Sequence, residues 1–388
     1  MSTVVRFGAR MNLLRCVLAL LLVFVSAQSY PCTIFSIARE GKVFVGNNED
    51  ERREYTAKSW FIQPWDGKYG CVLFGWADGW AQGGMNDQGL FWDWAAGYKA
   101  DWEPSHEKRD YLGSLSYKII RECATVKEAV ETCRLHNQPS FAYARVMFVD
   151  RTGDSAIVGW EKGRMKVNRS RGGLQVLGYG QRTGKVRLDE LQEVSIMAAK
   201  SIATACCRRK GKVITHYSNV CDLQNGDVYV FNIWHHRKGL FSWITQSHSD
   251  RKCFLFNLDE ELKKGNHYYD LPLLTAQLTR PPQSDGRTLK AANVDPVIYP
   301  KYLGQYLKVS GARVTITKEG RRLFIESSEW PTWKYELFPV SEMEFFLNFI
   351  DFRVQFVTDT EDRVVELVFL STERDGTSKS ERAKRIYE

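Results

Sequence analysis

The chain has 388 residues, of which 44% are hydrophobic and 13% aromatic, and a formal net charge of +8 at pH 7. That is enough apolar material for a large buried core and, by length, for two domains. Part of the charge sits on Arg6, Arg10 and Arg15 at the extreme N-terminus. No long Lys/Arg run remains beyond them, which argues against a nucleic-acid-binding face.

The N-terminus reads as an export leader. Arg6, Arg10 and Arg15 form a positive stretch, with Met11 as an alternative start, and Cys16 to Val25 form an apolar segment. A membrane span needs about 20 apolar residues, so no stable span is expected. Val25-Ser26-Ala27 fits the small-residue cleavage rule. Residues 1–27 are therefore read as a signal peptide and 28–31 as a short pro-segment, whose removal by a second trimming step would leave Cys32 first. Pro31-Cys32 lacks the small residue of a lipoprotein site. The expected location is periplasmic or extracellular, or lysosomal or secreted if the source is eukaryotic.

At such an N-terminus one residue carries both a thiol and a free α-amine. Reference pKa values of about 8.5 and about 7.7–8 let the amine act as the thiol's own general base. Thr33 to Ala38 and Val43-Phe44-Val45 flank Arg39-Glu40-Gly41-Lys42, which predicts a β-hairpin. A two-residue loop at Glu40-Gly41 places Cys32 opposite Glu49, and a three-residue loop shifts its partner to Asn48. Either register lays Asn47-Asn48-Glu49-Asp50 beside Cys32. An aspartate there can hold the ammonium or thiol proton, and asparagines can supply amide donors.

Trp76, Trp80, Phe91, Trp92, Trp94, Tyr98 and Trp102 follow in a dense run. They suit core and sheet faces, or an apolar pocket for an acyl or aromatic group. Asp78, Asp93 and Asp101 interleave with them as loop carboxylates or contacts to a polar substrate. Lys108 to Cys133 has helical spacing and predicts one covering helix. Gly172-Gly173, Gly178, Gly180 and Gly184 read as loop punctuation, and Asn168-Arg169-Ser170 is a glycosylation sequon only in a eukaryote. His235-His236 and His248 lack a partnering carboxylate pattern, so no metal site is expected. Once Cys16 and Cys32 are set aside, seven cysteines remain, without a CxxC pair. They read as buried small hydrophobes with one or two bridges at most.

A polar, Pro-containing linker spans residues 281–296. Short alternating segments over 297–372 then predict a small antiparallel sheet or barrel. Their pattern resembles the small β domain appended to some secreted serine hydrolases and beta-lactamase-like proteins. Residues 373–388 read as a polar tail.

Four motifs in chain order carry a wider resemblance. These are the Cys32-Thr33 start with Gly46-Asn47-Asn48-Glu49-Asp50, and Gly84-Met85-Asn86-Asp87-Gln88-Gly89-Leu90. Thr215 to Val220 followed by Asp227 to Phe231 is the third, and Phe256-Asn257-Leu258 leading to Gly265 is the fourth. Together they resemble the choloylglycine hydrolase family of N-terminal nucleophile hydrolases, which includes bile-salt hydrolases, penicillin V acylases and acid ceramidase relatives. The resemblance implies an α+β fold, a four-layer αββα sandwich over residues 32–280, with the small β domain behind it. It makes Cys32 the nucleophile and Asp50 the aspartate that contacts its amine. Asn47 stands where the family usually has arginine, and Ala96 where it has its first oxyanion asparagine. Its second falls near Tyr179, and its late arginine maps to Arg187. Asn48, Asn86, Asn219 and backbone N–H groups are the substitute donors.

The implied activity is cleavage of a linear, non-peptide amide through a thioester, on a small-molecule N-acyl substrate and without a cofactor. An acyltransferase on the same scaffold and a non-catalytic binding protein are the alternatives. A conventional Cys-His protease would need His216, His235 or His236 beside Cys32. Homo-oligomerisation is compatible with all of them.

Overall fold

Turn chemistry fixes the first element. The computed structural model describes residues 32–97, 99–111, 113–171, 175–235, 247–248, 252–280, 283–284, 291–329 and 334–387. Strands β1 (Thr33–Arg39) and β2 (Lys42–Arg52) pair antiparallel with Arg39 facing Lys42 and Thr33 facing Asn48. The loop is thus Glu40-Gly41, and both residues have left-handed φ values, 54° and 76°. That is the signature of the tight hairpin turn whose twist matches the strands. The expected two-residue register holds.

Two antiparallel sheets are built around this hairpin. One has six strands in the order Gln175–Gly178, β1, β2, Val213–Asp222, Asp227–Phe231, Phe254–Asn257. The other, of nine strands, contains consecutive β3 (Ala57–Ile62), β4 (Cys71–Trp76), β5 (Ala81–Asn86) and β6 (Phe91–Ala96). Alternation along the strands decides the packing, because successive side chains point to opposite faces. Ile34, Val45, Tyr217 and Val228 of the smaller sheet meet Phe74, Met85, Phe91 and Met147 of the larger in one shared core.

The opposite face of the larger sheet, with Leu73, Trp92, Phe148 and Val158, buries helices α1 (Leu115–Glu122) and α2 (Val126–Leu135) through Ile119, Ile120, Val126 and Val130. The opposite face of the smaller sheet, with Phe35, Phe44 and Val220, is covered by α3 (Gln181–Asp189) and α4 (Ile196–Cys206) through Leu188, Ala199, Ile202 and Ala203. The single helix expected over 108–133 is two helices. Cys123 leaves the first in extended conformation, and Thr125 opens the second with a capping box to Glu128, a pairing that satisfies orphan N–H groups at a helix start.

Eight further strands, from Gly304–Lys308 to Ser378–Ile386, close into a barrel around Tyr302, Tyr306, Leu323, Phe345 and Leu367. The expected antiparallel barrel is therefore present, and its strands run past residue 372. Ser378–Ile386, read as polar tail, is the strand that joins Val364–Thr372 to Gly304–Lys308. A barrel leaves no edge exposed only if this last strand is supplied. The chain from Pro31 onward is one compact unit. It is a mixed α/β structure made mostly of sheet. The leader, the pro-segment, Gly172-Gly173 and half of the linker lie outside the described residues.

Candidate active site

Cys32 heads β1 at one end of the space between the sheets. Its main chain is gripped by the turn after Gln175–Gly178. Its carbonyl accepts from the Tyr179 N–H at 2.8 Å, and the Thr33 hydroxyl accepts from the Gly180 N–H at 2.8 Å. Gly178 has φ 101°, and a side chain there would overlap the Cys32 carbonyl oxygen. Only glycine fits both the angle and the close approach. Cys32 itself has φ 66°.

The period of two along β2 then sorts the polar run. Asn47 and Glu49 follow Val45 on the face between the sheets. Asn48 and Asp50 follow Phe44 on the face toward α4. The Cys32 thiol lies on the inner side and donates to Glu49 Oε1 at 3.1 Å. Asn47 Nδ2 holds the other oxygen, Oε2, at 3.2 Å. Asp50 stands on the main-chain side. Its Oδ1 accepts from the Thr215 hydroxyl at 2.5 Å, and the Cys32 backbone N–H is among the groups that favour its charged form. Glu49 therefore addresses the thiol and Asp50 the nitrogen. The sequence reading gave the amine to Asp50 and offered an aspartate for the ammonium or the thiol proton, with no role for Glu49.

Burial dominates the electrostatics. It pushes the Cys32 thiol well up, and the neighbouring Glu49, Asp50 and Asp93 carboxyls add to the rise. Burial likewise raises Glu49 against the hydrogen bonds from Cys32 and Asn47. It lifts Asp50 to about 7 in spite of Thr215, Arg208 and the Cys32 N–H. Asp93, on β6, is pushed well up by burial and then by Glu49. The second sheet makes room for it at Gly83, where a side chain would overlap the Asp93 carboxyl. The result is a nest of carboxyl groups that hold protons more tightly than carboxylates in water.

A cavity of about 110 Å³ opens at Cys32, lined by Glu49, Asp50 and Glu51, by Trp80, Trp94 and Tyr143, and by Ala81, Gln82, Ala96 and Ala144. Ser114, Ser116, Gln138 and Ser140 complete the lining. The Trp94 indole N–H donates to Ser116 at 2.8 Å, and Gln138 Nε2 to Ser140 at 2.9 Å.

The remaining candidates separate from this cavity. Asn86 is consumed by its turn. Its Nδ2 donates to the Ile120 and Cys123 carbonyls at 2.8 Å each, and its Oδ1 accepts from Gln88 and Leu90. Asn48 faces outward, donating to the Ala203 carbonyl at 2.8 Å and accepting from Ser218. Tyr179 contributes its main chain, while its side chain is 51% exposed under the Arg208 guanidinium. Arg187 lies on α3 with Glu190 3.9 Å away, outside the cavity lining. Asn219 is buried opposite Asn47 in the sheet, and neither lines the cavity.

Among the described residues no histidine lines the cavity. His216 Nε2 contacts the Arg52 carbonyl at 2.7 Å, and His235 Nδ1 the Pro272 carbonyl at 3.0 Å. His236 lies outside the described residues. No disulfide joins the described cysteines to one another, so the one or two bridges are not formed among them. Sequence reasoning missed Gln82 and Gln138; it placed Glu49 opposite Cys32 without giving it the thiol, and it named Asp93 and Trp80 only as members of the aromatic-rich run. The parity of the hairpin could have found Glu49.

Fold and site together define a sheet-rich α/β chain with a cysteine at the head of a strand, set in a carboxyl-lined cavity, and a closed barrel behind it. No protein-family model matches the chain. Penicillin-binding protein 4* of Bacillus subtilis is 37% identical over 67 residues, a match covering 17% of this chain and only 14% of that protein. Among solved structures, penicillin V acylase from Agrobacterium tumefaciens superposes with a TM-score of 0.44 at 16% identity, covering 62% of this chain and 91% of that one. A variant of conjugated bile acid hydrolase from Clostridium perfringens gives 0.46 at 14% identity, covering 66% and 100%.

Proposed function

We propose that this chain is an exported cysteine amidohydrolase of the N-terminal nucleophile type, with a four-layer αββα sandwich, that cleaves a linear non-peptide amide. The observation that carries the proposal is the placement of Cys32, whose thiol is on Glu49 at 3.1 Å and whose backbone nitrogen is near enough to the Asp50 carboxyl to favour its charge. Removal of residues 1–31 would turn that nitrogen into an α-amine without moving the thiol. It would also release the left-handed peptide geometry at Cys32, which costs a non-glycine residue on the order of 1–2 kcal/mol. The new ammonium would sit beside Glu49 and Asp50 and compensate their buried charge. The ordered motifs along the chain and the leader-like N-terminus support the same reading.

The reaction then balances. The Cys32 α-amine takes the thiol proton, directly or through one water. The thiolate attacks the amide carbonyl carbon, forming the C–S bond. The leaving nitrogen takes a proton as the C–N bond breaks, and a thioester remains. Water adds to the thioester carbon, the C–S bond breaks, and the thiol is restored. The side-chain amide of Gln82 and the second N–H of Gln138, whose first is on Ser140, are the candidate donors to the transient oxyanion, since both residues line the cavity and Asn48 and Asn86 do not.

The test is a panel of N-acyl amino acids, bile-salt conjugates, penicillin V and lactones, with the mature protein and its Cys32→Ala variant. The expected result is release of free amine from at least one amide by the wild type and none by the variant. An activity that survives in Cys32→Ala would overturn the proposal.

A further inference from the structure

The mechanism leaves the C-terminal barrel unused, yet the barrel reaches the cavity. The tip that joins strands Val364–Thr372 and Ser378–Ile386 docks beside the cavity mouth. The Thr56 N–H donates to the Arg374 carbonyl at 2.8 Å, and the Thr56 hydroxyl to the Asp375 carbonyl at 3.0 Å. Arg374 Nε donates to Asp78 Oδ2 at 3.1 Å, and its Nη1 lies 4.0 Å from Glu51, a cavity residue. The other oxygen of the same carboxylate, Asp78 Oδ1, accepts the Trp80 N–H at 2.9 Å. A second barrel loop holds the same turn, the Asp351 N–H donating to the Asp78 carbonyl at 2.9 Å. Trp80 lines the cavity that contains Cys32, and its ring meets barrel Phe349 edge-to-face at 6.1 Å between centroids.

We propose that the barrel sets substrate specificity: Arg374, through Asp78, and Phe349, through ring contact, fix Trp80 as the wall that limits the apolar acyl group admitted to Cys32. The proposal rests on the function proposed above, and it assigns the acyl side of the amide to the aromatic wall. The physical reasons are ordinary. A carboxylate bridging a guanidinium and a main-chain N–H makes charge-assisted bonds, which are stronger and more directional than neutral ones. An aromatic edge against a face restricts the indole further. Neither Arg374 nor Phe349 belongs to the cavity lining, so both are positioning residues.

The test uses the mature full-length protein and two mild variants, Arg374→Gln and Phe349→Leu, with Arg374→Lys as the conservative control. Folding is checked by thermal unfolding. Each protein is alkylated with iodoacetamide and with its N-hexyl derivative, and the Cys32 peptide is quantified by mass spectrometry. In parallel, hydrolysis of short- and long-chain acyl amides of one amine is compared. The expected result is a rise of about fivefold or more in the bulky-to-small labelling ratio for Arg374→Gln and Phe349→Leu, with Arg374→Lys closer to wild type. The long-to-short acyl preference should shift in the same direction.

Labelling ratios within twofold of wild type in both folded variants would overturn the proposal, even if amides are hydrolysed. A shifted labelling ratio without hydrolysis of any amide would leave the wall in place and sink the hydrolase reading instead.

Discussion

Glu49→Gln is the most informative single change, because it keeps the shape and hydrogen-bonding reach of the side chain and removes its charge. Two unit charges 3.1 Å apart repel by about 5 kcal/mol at an effective dielectric of about 20. The S–H···O bond that favours the protonated thiol contributes only about 1 kcal/mol net. Repulsion of the thiolate therefore outweighs the bond, and its loss should lower the Cys32 pKa. At about 1.4 kcal/mol per pKa unit, even a quarter of the full repulsion gives tenfold more thiolate. Burial raises Glu49 to about 8, so its charge is present only above that pH, and alkylation of Cys32 by iodoacetamide at pH 9.5, followed on its own peptide by mass spectrometry, should be at least about tenfold faster in Glu49→Gln. Amide turnover should move the other way and fall by about a hundredfold, since the ammonium formed when the amine takes the thiol proton loses the charge beside it. Alkylation profiles that superimpose between pH 8.5 and pH 10, where Glu49 is ionised, would refute the coupling. Turnover within twofold of wild type would remove Glu49 from the mechanism.

Other outcomes follow from the same geometry. In a Cys32→Ala chain that keeps residues 1–31, Asp50 binds its proton up to about pH 7 when folded, against an ordinary value of 3.8. Between those values the folded state holds more protons than the unfolded one, so stability falls as pH rises from about 4 to 8, by on the order of 4 kcal/mol. Urea unfolding at several pH values should show at least that slope, and Asp50→Asn should remove this share of it while the raised Glu49 and Asp93 keep theirs. Asp93 is held neutral by burial, so Asp93→Asn should cost less than about 1.5 kcal/mol, the usual range for volume-conserving core swaps. Gly83→Ala, which overlaps the Asp93 carboxyl, should cost about 1–3 kcal/mol in the same thermal assay, and the two changes should be strongly non-additive. Ending the chain at residue 377 removes the strand that closes the barrel. It should expose two strand edges, detected as aggregation by light scattering.

The hairpin was legible because Glu40-Gly41 names its own turn, and a two-residue loop fixes every later pairing down to Thr33 and Asn48. The same parity separates Glu49 from Asp50, yet the aspartate attracts attention because the family resemblance points to it. Asn86, Asn48 and Asn219 look alike as amides in a sequence. What distinguishes them is whether backbone carbonyls from distant segments consume their donors, as Ile120, Cys123 and Ala203 do. That is long-range information. Asp93 was visible only as one acid among aromatics, and its role comes from the strand at Gly83 that faces it. The closing strand Ser378–Ile386 was hidden by composition, since only Ala383 within it is fully buried and its neighbours are charged. Trp80 could not be singled out from the other tryptophans, because the residues that place it lie about 270 to 300 positions later in the chain, at Phe349 and Arg374.

The central claim is that Cys32 acts with its own α-amine, and the intact mass of an active preparation tests it most directly. The account predicts a mature chain that begins at Cys32, with activity lost when any residue is retained ahead of it. An active preparation whose first residue is Gln28 would contradict it.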